Sequence, residues 1–388
     1  MTSLATSHVK PLNERIATLG VFLANGFGIG AWAVEVPRIK ESLALSDTSL
    51  GIALFAFALG AIVAMPLAGQ LAPRLGSGRA TALLGAAFVV MLPLPALAPG
   101  MAALCVVLFA LGAANGALDV SMNGHASAIE ARWHAPIMSS FHAAWSAGGL
   151  LGAATGAMLQ RSGISVIGGL LIPDMFIGVL IIFATVLALR DLGPRAAATS
   201  SAFSWPSAGV MKLALLAFLC MLVEGAVADW SAVYLRATLN QEASVAAIGY
   251  SAFAFSMAAC RIVGDVSVRR FGSSRVVALG GLIAVAGLAL VLSLPTVLTA
   301  CVGFAMVGVG LANIVPVIFS AAGRSTVTPA IGVSMAATAG YAGFLVGPPL
   351  IGLGAGLLGL RMALCVLVMA ALIVCVVGGQ AVRSVRLA

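Results

Sequence analysis

The sequence predicts an all-α integral membrane protein of twelve transmembrane helices, arranged as two pseudo-symmetric six-helix halves. Three observations carry this expectation. Of 388 residues, 61% are apolar and only 8% charged, whereas a soluble domain carries roughly 25% charged residues. The apolar residues form runs long enough to cross a bilayer, unlike the short alternating strands of a barrel. Two short basic loops, at 69–79 and 265–275, also echo each other. Arg74, Gly76, Ser77 and Arg79 return as Arg270, Gly272, Ser273 and Arg275, each 196 residues later. An offset of about half the chain suggests a duplicated unit.

A spanning helix needs about 20 apolar residues. By that rule the spans are 13–36, 48–70, 79–98, 101–127, 136–160, 165–189, 209–236, 244–264, 275–294, 297–321, 328–353 and 359–380. Asp47 is placed as the N-cap of the second. Pro99-Gly100 precedes the fourth, and Pro136 opens the fifth, where a first-turn proline is tolerated. Gly347-Pro348-Pro349 predicts a bend in the eleventh. The domain reading follows: a tail over 1–12, one half over 13–189, an Ala/Thr/Ser-rich linker over 190–208, the second half over 209–380 and a tail over 381–388. The halves match elsewhere too. Gly112 to Asn115 pairs with Gly310 to Asn313 at an offset of 198, and Gly148 and Gly152 pair with Gly343 and Gly347 at 195.

With both termini on one side, 15 of the 20 Lys and Arg residues fall on that side. This excess predicts that both termini are cytoplasmic, in a bacterial-type inner membrane. The net charge of +8 is spread over the loops, so no nucleic-acid partner is expected. The expected partners are a small-molecule substrate, protons and membrane lipids, with the chain acting as a monomer. Met1 to Pro11 lacks a signal-peptide pattern. All six cysteines lie in apolar runs without metal-ligand spacing, so neither a metal nor any other cofactor is expected.

An ionisable side chain inside a membrane helix is costly and is a functional candidate by default. Asp119 and His142 are expected at similar depth on consecutive helices, about two turns from the cytoplasmic end. There they would either share a proton or lock the helices structurally. Glu224 sits mid-helix, with no Lys or Arg expected at its depth, which suits proton coupling. Asp174 and Asp229 are further intramembrane acids. Glu35 and Asp265 lie near helix ends. Arg261 and Asp265, four apart, read as a local ion pair or a gating latch. Glu130 and its neighbours read as solvated loop residues, and His125 as an interfacial side chain. Asn115, Asp119 and Asn123 share one helical face.

The run Gly69-Gln-Leu-Ala-Pro-Arg74-Leu-Gly76-Ser-Gly-Arg79 resembles the loop signature of the major facilitator superfamily. Gly69, Leu71, Ala72, Arg74 and Gly76 fit the pattern, while Pro73 stands where that family has Asp. The resemblance implies a transporter in which helices 1, 4, 7 and 10 line a midplane cavity. That would place Asn25, Asn115, Asp119, Glu224 and Asn313 around the cavity. Trp32, Trp145, Trp230 and Tyr341 would offer stacking faces for a sugar ring, or anchor at the interface. The runs 139–149 and 340–349 are similar, more loosely, to the fucose-permease-like branch. Some members of that branch couple protons through an acid on helix 4, the place of Asp119.

No His-Glu-x-x-His, Gly-x-Ser-x-Gly or Walker lysine loop is present, so an enzyme is not expected. The expected function is proton symport of a sugar or polyol by alternating access. Proton-driven efflux of an amphipathic solute is the alternative, and a non-transporting sensor or scaffold is a third reading.

Overall fold

The computed structural model describes residues 11–188 and 207–384. The expected linker 190–208 lies almost wholly outside them, as do most of the expected tail 1–12 and the end of the expected tail 381–388. The first half comprises α1 (Leu12–Ser42), α2 (Asp47–Leu75), α3 (Ser77–Met91), α4 (Met101–Trp133), α5 (Met138–Arg161) and α6 (Val166–Ala188). In the second, α7 is Ala208–Val233, α8 is Ala243–Ile262 with Gly264–Phe271, and α9 is Ser273–Ser293. They are followed by α10 (Val297–Leu311 with Ile314–Arg324), α11 (Pro329–Leu358) and α12 (Leu360–Ala363 with Cys365–Ser384).

Among the described residues, ten spans are long and apolar enough to cross a membrane, and α8, bent by 60° at its break, makes an eleventh. The remaining helix, α5, has 24 residues, about 36 Å at 1.5 Å per residue. Its lower hydropathy comes from Ser139, Ser140, His142 and Ser146, which face other helices instead of lipid.

The turns are set by local chemistry. Gly76 (φ +90°) and Gly272 (φ +81°) turn the two repeated loops, a conformation that costs glycine little. Ser46, not Asp47, caps α2 by accepting from Ser49 N at 3.1 Å. Pro136 lies in the loop before α5, not in its first turn.

The halves repeat their packing. In the first, α1 packs on α5 and α2 on α4; in the second, α7 packs on α11 and α8 on α10. Close approach explains the matched glycines. A Cβ on Gly148 would run into Leu23 O, and one on Gly343 would run into Phe218 O. One apolar core lies within the first half around Phe22, Phe88 and Phe141; the other centres on the second half around Tyr234, Phe304 and Phe319 and extends to Ala61, Met65, Ala117 and Val120 of the first. Leu67, Val106, Val186 and Phe255 are exposed on the outer surface, as befits a surface whose solvent is lipid.

The halves meet tightly at the end that carries Gly76 and Gly272. Gly69 of α2 packs on Ser334 of α11, Gly124 of α4 on Ala330, and Gly323 of α10 on Ser127 of α4. Two carboxylates lock the same end. Asp265 of α8 accepts from Ser140 N of α5 at 3.2 Å. Glu130 of α4 accepts from Ile137 N and Met138 N at 2.9 Å and from Arg324 Nη1 of α10 at 3.0 Å, and also bonds Ser320. Glu130 is therefore a buried helical residue. The solvated-loop expectation fails because α4 continues six residues past its expected end at 127.

Candidate functional site

A cavity of about 690 Å³ lies between the halves. Its floor carries Asn115, Asp119, His142, Glu224, Arg261 and Tyr341. Its walls include Phe22, Phe57, Met122, Met221, Phe319 and Phe344. Towards the end away from Gly76 it is bordered by Gly51, Leu54, Phe55 and Asp229, all exposed. The cavity is therefore open at that end and sealed at the other by the contacts above.

Asp119 lies fourteen residues before Trp133, the last residue of α4. That is about 21 Å along the helix, deeper than the expected two turns because α4 is longer than expected. Asp119 and His142 come together through a third residue. Asn123 Nδ2 donates to Asp119 O at 2.9 Å and Asp119 Oδ1 at 3.2 Å, and Asn123 Oδ1 meets His142 Nε2 at 3.1 Å. The His142 ring is flanked by Phe22 and Phe319, with centroids at 5.7 and 5.9 Å. The second carboxylate oxygen of Asp119, Oδ2, is buried without a hydrogen-bond partner among the described residues. A buried polar atom left unpaired is expensive, so a proton or a bound solute would stabilise it.

Glu224 is not without a cation. Arg261 Nη2 of α8 lies 3.5 Å from Glu224 Oε1 of α7. The guanidinium also donates to Ser146 Oγ of α5 at 2.9 Å and to Ala312 O, at the break in α10, at 3.2 Å. Arg261 thus bridges the halves and does not form the expected pair with Asp265, which is taken by Ser140 N. Arg261 lies in the last turn of its helical piece before the 60° bend, and its long stem carries the charge to the cavity floor. Linear spacing points only to Asp265, so the pairing with Glu224 is not legible in the sequence.

The other candidates divide. Asn115, Trp145 and Tyr341 line the cavity. Asn25 is 2% exposed behind it, between Trp145 and Asn115. Trp32 is buried in the first half's core and does not line the cavity. Asn313 sits at the break in α10, where its Nδ2 donates to Cys260 O at 3.1 Å and it packs on Gly264. It therefore braces the backbone outside the cavity. Trp230 donates to Pro348 O at 3.1 Å. Arg74, Arg79 and Arg270 are exposed at the sealed end, with Arg270 over the Phe271 ring. Glu35 lies well inside α1, fully buried and 3.0 Å from Arg38. His125 is likewise buried, with Nδ1 2.8 Å from Ser77 Oγ.

The family model of the Major Facilitator Superfamily matches residues 18–338. An uncharacterized MFS-type transporter of Yersinia pestis is 35% identical over 364 residues, covering 93% of this chain and 94% of the relative. The membrane protein MosC of Rhizobium meliloti is 36% identical over 362 residues, covering 91% and 86%. Among solved structures, the fucose:proton symporter of E. coli aligns with a TM-score of 0.74 at 16% identity, over 98% of this chain and 100% of that one. The human organic anion transporter MFSD10 aligns at 0.75 with 14% identity, over 96% and 100%. Twelve helices among the described residues in two repeated halves, a cavity between them and these matches along most of the chain lead to one conclusion: the protein is a transporter, not an enzyme, and belongs to the major facilitator superfamily.

Proposed function

We propose that this chain is a proton symporter for a sugar or polyol, working by alternating access in a bacterial inner membrane. Both termini are cytoplasmic in this reading, so the sealed end faces the cytoplasm and the cavity opens outward. The observation that carries the reading is Asp119, a mid-membrane carboxylate on the cavity floor with one oxygen unpartnered. Such a group takes a proton with little rearrangement. A protonated Asp119 both donates and accepts, as a hydroxylated solute requires.

The remaining floor groups fit this role. Asn115 and Tyr341 supply hydrogen bonds, and Trp145 supplies a ring face against which a sugar packs its C–H surface. Arg261 ties Glu224 to Ser146 across the halves, so solute or proton arrival beside Glu224 would weaken a cross-half contact. The fold shared with the fucose:proton symporter of E. coli supports the same class. The test is uptake by proteoliposomes under an imposed proton gradient, with labelled L-fucose, D-glucose, D-galactose and myo-inositol. Uptake that collapses with a protonophore supports the reading.

The apolar walls, with Phe22, Phe57, Met122, Met221, Phe319 and Phe344, favour a second reading: proton-driven efflux of an amphipathic solute. Gradient-driven export of a lipophilic dye, with no uptake of the four sugars and polyols, would select it.

A further inference from the structure

We infer that Asn25 and Trp145 are positioning residues that fix which way the Asn115 amide faces, making Asn115 a hydrogen-bond donor to the solute beside the acceptor Asp119. The inference rests on the sugar or polyol reading for the identity of the solute. The orientation itself follows from hydrogen-bond chemistry.

An indole N–H only donates. Trp145 Nε1 lies 2.9 Å from Asn25, so Asn25 must turn its Oδ1 to the indole. Asn25 Nδ2 is left for Asn115, 2.8 Å away. An amide N–H only donates, so Asn115 must turn its Oδ1 towards Asn25. The remaining donor capacity of Asn115 is its own Nδ2, and Asn115 lines the cavity, as does Tyr341 of the other half. One donor-only group thus settles two amides in series.

The neighbouring turn of α4 has a fixed polarity too. Asn123 Nδ2 is held by the Asp119 backbone carbonyl at 2.9 Å, which only accepts. Asn123 Oδ1 therefore faces His142, and His142 Nε2 must carry its hydrogen. Asp119 Oδ2, buried, has no hydrogen-bond partner among the described residues and so keeps its acceptor capacity unused. Residues four apart on a helix hold their Cβ atoms about 5–6 Å apart on one face. A donor from Asn115 and an acceptor from Asp119 at that spacing match two adjacent hydroxyls, one accepting and one donating: a vicinal diol. Asn25 does not line the cavity, so it acts only through Asn115.

The test uses deoxy and deoxyfluoro analogues of L-fucose, D-glucose, D-galactose and myo-inositol in proteoliposomes. A C–F group cannot donate but accepts weakly; a C–H group does neither. For the transported parent, one ring position should tolerate fluorine within about threefold in kcat/KM while the deoxy analogue loses at least about tenfold. In Asn25→Asp the carboxylate accepts from Asn115, whose amide then reverses and offers Oδ1 to the cavity. The fluoro analogue should fall to the deoxy level, with the parent largely retained through its hydroxyl donor. An equal loss for parent and fluoro analogue would reduce Asn25 to helix packing and overturn the inference. A second readout needs no solute. The 15N indole resonance of Trp145, assigned with Trp145→Phe, should move in Asn25→Leu; an unmoved resonance overturns the relay. A moved resonance with none of the four parents transported sustains the orientation and sinks the sugar reading instead.

Discussion

Arg261 of α8 donates to Ser146 of α5 at 2.9 Å, joining the two halves at the cavity floor. The same guanidinium holds Glu224 at 3.5 Å, and Ser146 Oγ itself donates back to His142 O at 3.0 Å. The charged centre of the second half therefore touches the helix that carries the titratable imidazole of the first.

Removing only the cation should be worse than removing the pair. Arg261→Gln leaves the Glu224 carboxylate without its partner in a largely buried site, a loss of about 3–5 kcal/mol for a broken buried pair. Arg261→Gln with Glu224→Gln should recover much of it. Thermal unfolding of the purified protein in detergent reads both. A double variant no more stable than Arg261→Gln would remove the pair from the account.

Glu130 should hold the sealed end shut. Its carboxylate serves the backbone N–H groups of Ile137 and Met138, at the N-cap and first residue of α5, and two side chains of α10. An amide at this position loses charge-assisted hydrogen bonds worth about 1.5–3 kcal/mol each. Val317→Cys, 4% exposed near this end in the parent chain, placed on a cysteine-free background, should label faster with an impermeant maleimide when Glu130→Gln is added. Unchanged labelling would show that the small-residue contacts alone close this end.

The matched glycines should be equivalent. Gly148→Ala and Gly343→Ala each drive a methyl into a backbone carbonyl of the neighbouring helix. Overpacking of this kind costs about 1–3 kcal/mol. Both variants should lower the thermal midpoint by similar amounts, and a silent substitution at either would contradict the repeat at that position.

Much of this architecture was legible from the chain. The loops at Gly76 and Gly272 turn with positive φ as their repetition implied, and Gly148 and Gly343 sit at the same helix contact in each half. The cavity floor at Asn115, Asp119, His142, Glu224 and Tyr341 follows from rare polar residues in apolar helices. What escaped the sequence depends on geometry between helices. Arg261 lies in a helix end by linear count, and only the bend and its long side chain deliver it to Glu224. Asn123 stood on the expected face, but its role as the bridge between Asp119 and His142 needs α5 in place. Glu130 lies in a polar stretch that suggests a loop, yet α4 carries on through it as a helix into the packed sealed end. Trp32 and Asn313 show the converse. Their residue types suit a binding site, yet one fills a core and the other braces a helix break.

The most direct measurement compares two modes of transport in proteoliposomes bearing Asp119→Asn, using the sugar or polyol that the parent protein takes up. Asn at this position keeps the size and hydrogen-bonding capacity but carries no titratable proton. Gradient-driven accumulation should be abolished, while exchange of labelled for unlabelled solute across the membrane persists within about an order of magnitude, because exchange requires no net proton movement. If Asp119→Asn still accumulates solute against its gradient in a protonophore-sensitive way, Asp119 is not the coupling acid and the central proposal is wrong.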